Sequence, residues 1–151
     1  LDVDISPQVF PAARHNLDAN RRDGARADLL AADVFAFVDH LADQGPRYDI
    51  VVCDPPSLLR KQNQLKQAMG VYTKLNRNAL RLVNDGGLLV TASCSNRVSQ
   101  EDFFQIVRRA ATGARVRPRI LTYNQHPADH PVDPAFPDGR YLKCIFAQVL
   151  R

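Results

Sequence analysis

Four positions pair a chemically useful side chain with a place where an apolar run stops. They are Asp4 after Val3, Asp33 after the Ala27–Ala32 run, Asp54 after Tyr48–Cys53, and Cys94 after Leu88–Ala92. An acid at the end of a first strand can accept hydrogen bonds from both hydroxyls of a ribose. It can equally be a helix cap or a solvated acid, and Asp2, in mid-strand, competes poorly with Asp4 for the first role. Asp33 can accept from an adenine amino group while Val34 lies on the ring, and it is also a good N-cap for the next helix. In Asp54-Pro55-Pro56-Ser57 the two prolines fix φ and stiffen the turn. A flat base can stack on that edge while Asp54 or a carbonyl bonds its polar side. Cys94 sits among small polar residues in Thr91-Ala92-Ser93-Cys94-Ser95, where an exposed thiolate can act as a nucleophile. Cys53 and Cys144 read as inert core thiols.

These residues need a scaffold that brings strand ends together. The chain alternates strand-like and helix-like segments, which predicts a parallel, doubly wound α/β sheet with ligands at the C-terminal strand ends. The first helix is expected to start at Ser6-Pro7, run through Phe10, Ala13 and Leu17, and stop at Gly24. A second helix carries Val34, Phe37, Val38 and Leu41 on one face and stops at Gly45-Pro46. Tyr48–Cys53 reads as a strand buried on both faces. Residues 58–70 read as a polar, basic loop or turn, and a third helix is expected from Val71 to Val83, ending at Asp85-Gly86-Gly87 before a strand over Leu88–Ala92. Ser99 with Asp102 forms a capping box for a fourth helix through Phe103, Phe104, Ile106 and Val107. Arg115, Arg117 and Arg119 alternate with Val116, Pro118 and Ile120, the mark of an exposed edge strand. Residues 125–140 read as an ordered loop and Tyr141–Leu150 as the last strand.

Composition sets the bounds. The chain has 151 residues, 45% of them hydrophobic, enough for one domain with a real core. No run of about 18 apolar residues occurs. Three widely spaced cysteines form neither a disulfide framework nor a metal knuckle, so no metal and a reducing, cytoplasmic setting are expected. A net charge of +4 permits a polyanionic partner without requiring one.

The ordered set Val3-Asp4-Ile5-Ser6, Ala32-Asp33-Val34-Phe35, Asp54-Pro55-Pro56 and Ser93-Cys94-Ser95 resembles class I S-adenosyl-L-methionine-dependent methyltransferases. More narrowly, it is similar to the large-subunit ribosomal RNA cytosine-5 methyltransferases that carry an N-terminal PUA domain. The tail Asp129-His130-Pro131-Val132, Pro137-Asp138-Gly139 and Tyr141-Leu142-Lys143 resembles that family's C-terminal signature. Asp138 stands where the family usually has Glu, Gln148 near a usual Arg, and Ser57 where relatives often have Lys.

The resemblance implies a Rossmann-like sheet, mostly parallel with an antiparallel last strand, over residues 1–151. It implies a cofactor site at Asp4, Ile5, Asp33, Val34, Asp54 and Pro55, a base contact at Pro56 and Ser57, and catalysis by Cys94 with Asp54. The substrate would be ribosomal RNA, with Lys61, Lys66, Lys74, Arg77 and the arginine stripe as candidate phosphate contacts. The family's first strand, its Gly-rich turn and the PUA domain would precede residue 1. Without that strand, two sheet edges are expected to stand open between the strands ending at Asp4 and Asp54, and a domain-swapped homodimer is one way to fill them. Two other readings stay open: an amino-group methyltransferase that uses Asp-Pro-Pro without a cysteine, and a non-catalytic RNA-binding remnant.

Overall fold

The computed structural model describes residues 1–20, 26–58 and 65–151. The expected stop at Gly24 and the candidate phosphate contact Lys61 lie outside the described residues. The strands are β1 (Asp2–Asp4), β2 (Leu29–Ala31), β3 (Tyr48–Cys53), β4 (Val83–Ser93), β5 (Arg117–Asn124) and β6 (Lys143–Leu150). The helices are α1 (Phe10–Asn20), α2 (Val34–Gln44), α3 (Leu65–Leu82) and α4 (Gln100–Ala114).

The strands form two sheets. β1 and β2 pair in parallel, and the other four run in the order β3-β4-β6-β5. β3 and β4 are parallel, while β6 runs antiparallel to both β4 and β5. The last strand in sequence therefore lies inside its sheet, and the arginine-bearing β5 is an edge, as its alternating charge and proline predict.

α3 and α4 cover one face of the larger sheet. Ala68, Tyr72, Leu75, Ala79 and Leu82 recur at three- and four-residue steps and are buried on α3. Phe103, Ile106, Val107, Ala110 and Ala111 do the same on α4. They meet Leu89 of β4 and Ile145, Ala147 and Val149 of β6 in two adjoining clusters. Each large side chain fully buried there, such as Leu80 or Phe103, contributes roughly 1.5–3 kcal/mol. α2 joins this layer through Val34 and Val38.

The structure corrects several expectations. Ser6 does not cap a helix with its side chain; a 3₁₀ turn over Pro7–Val9 comes first and α1 starts at Phe10. α1 buries none of its residues. α3 begins at Leu65, six residues before the expected start at Val71, because Ala68 extends the apolar stripe one turn upstream. β3 is not buried on both faces: Ile50 is 61% and Val52 66% exposed, since the helix layer lies on the opposite face, with Val51 and Cys53.

The strand after α3 starts at Val83 rather than Leu88, so Asp85-Gly86-Gly87 lies inside β4. The pairing shifts there, from Tyr48 opposite Val83 to Ile50 opposite Leu88. Gly86 has φ +77°, which L side chains rarely adopt. At Gly87 an added Cβ would sit 2.8 Å from the Asp49 carbonyl oxygen and 2.8 Å from Val83 Cγ1.

Gly87→Ala should therefore push β3 away from β4 and lower unfolding stability by about 1–3 kcal/mol. Urea denaturation would measure it, and an unchanged midpoint would show that the strands are not in contact there.

Candidate functional site

The parallel pairing within each sheet gathers the predicted residues at C-terminal strand ends. In the smaller sheet Asp4 lies opposite Ala31, and Asp33 follows two residues later. Asp4 Oδ1 accepts from Ser6 N at 2.7 Å, and the Asp4 carbonyl accepts from Ala32 N at 3.0 Å. Asp33 caps α2, accepting from Phe35 N at 2.9 Å. Both carboxylates are thus oriented by a backbone N–H and keep further acceptor capacity. Ile5 is 71% exposed beside Asp4. Val34 leans on the core between α2 and α3, so its side chain is partly committed to packing rather than fully available to a ring.

In the larger sheet Cys53 lies opposite Thr91, so residues 54–57 leave the sheet beside the last residues of β4 and the turn at 94–95. Asp54, Pro56 and Ser57 are exposed and Pro55 is half-buried. Cys94 is half-buried, and its thiol lies 3.9 Å from the Pro55 carbonyl oxygen, a long and weak contact to an acceptor. Cys94 and the Asp-Pro-Pro turn are therefore neighbours, as the strand-end reading requires. Cys53 is buried, and burial pushes its thiol up to about 12. Cys144 is half-buried, with its thiol also raised by burial. Both fit their reading as unreactive thiols.

The turn that presents Cys94 rests on buried polar contacts. Thr91 Oγ1 donates to Asn76 Oδ1 at 2.6 Å, and Asn76 Nδ2 donates to the Tyr72 carbonyl at 2.9 Å. Ser93 Oγ lies 3.4 Å from the Tyr72 hydroxyl. Tyr72 and Asn76, one helical turn apart on α3, thereby meet Thr91 and Ser93, which share a face of β4. Burial raises the Tyr72 phenol above its ordinary range.

A third segment completes the cluster. Lys143 opens β6 opposite Ser93 and is 5% exposed. Its Nζ donates to the Ser95 carbonyl and, at 2.7 Å, to the Tyr141 carbonyl. Among the described residues no carboxylate forms an ion pair with it. Burial lowers its pKa to about 8, partly opposed by Cys94. The charged form therefore costs stability below about 8, and the cost is relieved as pH rises from there towards the ordinary 10.5.

His126 Nε2 accepts from Tyr141 N and Leu142 N, each at 3.1 Å, which assigns the ring proton to Nδ1. His126 stacks on His130, and His130 Nε2 lies 3.0 Å from the Tyr141 hydroxyl. The 125–140 loop is thus tied to the start of β6.

Reasoning from the sequence gave Tyr72, Asn76, His126 and Lys143 no role. For Lys143 the signal was present: period two in Lys143–Leu150 places it on the face of Ile145, Ala147 and Val149. Two candidate phosphate contacts have other partners. Lys74 is paired with Asp39 at 2.5 Å, and the Arg77 stem lies against Gly113 of α4. Lys74 also holds the Asp39 carboxyl below its usual range. Arg115, Arg117 and Arg119 are exposed.

Asn76→Ala should leave Thr91 Oγ1 without its buried amide acceptor and cost about 1–3 kcal/mol in a denaturation series. Iodoacetamide at about pH 8 should label Cys94 well before Cys53 and Cys144, because only a thiolate reacts and burial keeps both of those thiols protonated. Peptide mapping by mass spectrometry reads the order, and early labelling of Cys53 would contradict its burial.

No family model matches the chain. The chain is 35% identical over 150 residues to the ribosomal RNA large subunit methyltransferase I of Aliivibrio fischeri (strain MJ11), covering 99% of the chain and 38% of that protein. It thus spans well under half the length of the curated relatives it matches. SMU.776, named as a methyltransferase and complexed with SAH, superposes with a TM-score of 0.79 at 23% identity, over 97% of this chain and 38% of that one. An S-adenosylmethionine-dependent methyltransferase from Clostridium acetobutylicum ATCC 824 gives a TM-score of 0.59 at 11% identity, over 99% of this chain and 74% of that one. The chain therefore has the fold of S-adenosylmethionine-dependent methyltransferases, and along nearly all its length it is similar to the large-subunit ribosomal RNA methyltransferase I proteins.

Proposed function

We propose that this chain is the catalytic part of an S-adenosylmethionine-dependent methyltransferase that forms 5-methylcytosine in large-subunit ribosomal RNA. The observation that carries the reading is the meeting of Cys94 with the Asp54-Pro55-Pro56 turn at one end of parallel strands. The name shared by the similar proteins supports the RNA substrate, and the SAH-bound neighbour supports the cofactor.

The chemistry suits the residues. Carbon five of cytosine is a poor nucleophile. Addition of the Cys94 thiolate to carbon six makes carbon five enamine-like and able to take a methyl group. Asp54 faces the base and stabilises the adduct through ring nitrogen three. A base then removes the proton on carbon five, the bond to sulfur breaks, and the thiolate is released. Bound S-adenosylmethionine supplies the electrophilic methyl. Asp4 and Asp33, oriented by backbone N–H groups, fit the hydroxyl and amino donors of its nucleoside. The target base has to be unstacked to reach a turn of this kind. The exposed arginines of β5 and its preceding turn offer phosphate contacts.

In this reading one more strand pairs between β1 and β3. Among the described residues β1 pairs only with β2 and β3 only with β4, so each keeps an edge open. The strand and its Gly-rich turn would come from a segment preceding residue 1 or from a second copy.

The test uses RNA carrying 5-fluorocytidine, whose carbon five has no proton to lose, so the cysteine adduct persists. This chain and a version extended at its N-terminus are incubated with that RNA and cofactor, and the adduct is read on a denaturing gel. The extended chain should form it and its Cys94→Ala variant should not. Methyl transfer to an exocyclic amine that survives Cys94→Ala would replace this reading with amino-group methylation. Salt-dependent RNA binding without any cofactor binding would replace it with a non-catalytic RNA-binding role.

A further inference from the structure

Lys143 is an expensive residue to place where it is. A buried ammonium with no carboxylate partner costs several kcal/mol unless something offsets it. Its hydrogen bonds go to two backbone carbonyls, those of Ser95 and Tyr141, which flank Cys94 and Lys143 itself in sequence. A methionine of similar length would fill the same space beside Ile145 and Ala147 with no charge to desolvate.

The charges around Cys94 make the position meaningful. Tyr72 of α3 and Cys94 interact electrostatically, and a negative charge on either opposes one on the other. Asp54, at the end of β3, bears on Cys53 and Cys144 in the same sense. Arg97 is exposed in the turn that follows. Lys143 is the buried cation of this group, and Cys94 bears on it in the sense that favours the protonated amine, against the larger effect of burial. The ammonium is held beside this turn by geometry: Lys143 pairs with Ser93, the residue before Cys94, and its Nζ donates to the carbonyl of Ser95, the residue after it.

We propose that Lys143 is a positioning residue for Cys94: its buried ammonium anchors the Ser93–Ser95 turn through the Ser95 carbonyl and supplies the positive charge against which the Cys94 sulfur carries its negative charge. This rests on the proposed nucleophilic role of Cys94 and adds the group that activates it. His126 takes part indirectly, because it holds the Tyr141 and Leu142 amides on the other side of the Lys143 anchor.

The test follows alkylation of Cys94 by iodoacetamide against pH, mapped by mass spectrometry, in this chain and in Lys143→Met, Lys143→Gln and Lys143→Arg. Removing the charge should raise the midpoint of the Cys94 profile by about one unit, a roughly tenfold loss of thiolate near neutral pH. Lys143→Arg should keep the midpoint within about half a unit. Lys143→Gln keeps a donor for the Ser95 carbonyl, so it separates charge from anchoring if Lys143→Met does not fold, as judged by circular dichroism. A Lys143→Gln midpoint equal to that of the parent overturns the proposal, as does an equal upward shift in Lys143→Arg. The adduct assay on the extended chain keeps the two readings apart. A shifted profile without RNA adduct leaves the Lys143–Cys94 coupling standing and removes the cytosine reading. An adduct with an unshifted profile does the reverse.

Discussion

The meeting of Cys94 with the Asp54-Pro55-Pro56 turn follows from the parallel register of β3 on β4. With Cys53 opposite Thr91, the two chains leave the sheet at the same height and in the same direction. An antiparallel pair would have sent one of them to the far end, and Cys94 could not have reached Pro55. Gly87 is part of what keeps that register, because it lets the Asp49 carbonyl approach β4 more closely than any side chain would permit. Arg151 braces the junction of α3 and β4. Its guanidinium donates to the carbonyls of Leu80, Arg81 and Val83, and so satisfies acceptors that the end of α3 leaves open.

Around that register the protein places polar groups where apolar ones would be cheaper. Tyr72, Asn76, Thr91 and Ser93 are all essentially inaccessible to water, and Lys143 joins them at the edge of the same layer. Buried polar groups of this kind are tolerated only when partnered, and they then enforce one arrangement rather than several. The helix-to-strand contacts Asn76–Thr91 and Tyr72–Ser93 fix α3 against β4 along the last residues before the turn. Rigidity is thus concentrated behind Cys94, while Asp54, Pro56 and Ser57 in front of it are open to solvent.

Much of this was legible in the residues, for reasons that can be stated. Gly45 ends α2, Ser99 with Asp102 starts α4, and Tyr48–Cys53 is a strand at both predicted bounds; each depends on a local rule that tertiary contacts did not override. The strand-end acids and Cys94 stand out as candidates because strand ends converge in a parallel sheet. The start of α3 is hard to read because Gly70 interrupts the segment and polar residues precede it, although Leu65, Ala68 and Met69 carry the helical spacing. Asp85-Gly86-Gly87 reads as a break because two glycines mark turns more often than irregular strand pairing. The exposure of Ile50 and Val52 could not be read from an apolar run, which looks the same whether or not something covers its second face. The polar contacts behind Cys94 join residues up to 48 positions apart in sequence, as Lys143 and Ser95 are, and no local pattern announces them.

β6 occupies the place in its sheet between β4 and β5 yet follows both in sequence. During synthesis the ribosome delivers α3, β4, α4 and β5 before the strand that joins them. Until residues 143–150 emerge, β4 and β5 have no partner in common, and Leu89, Phe103 and Ile106 lack the wall formed by Ile145, Ala147 and Val149. The larger sheet therefore closes late and through distant pairings, which are slow to form and leave sticky edges waiting. A nascent chain of this protein is at greatest risk of aggregation in the interval between the exit of β5 and the exit of β6, and a chaperone that shields hydrophobic segments would matter most then.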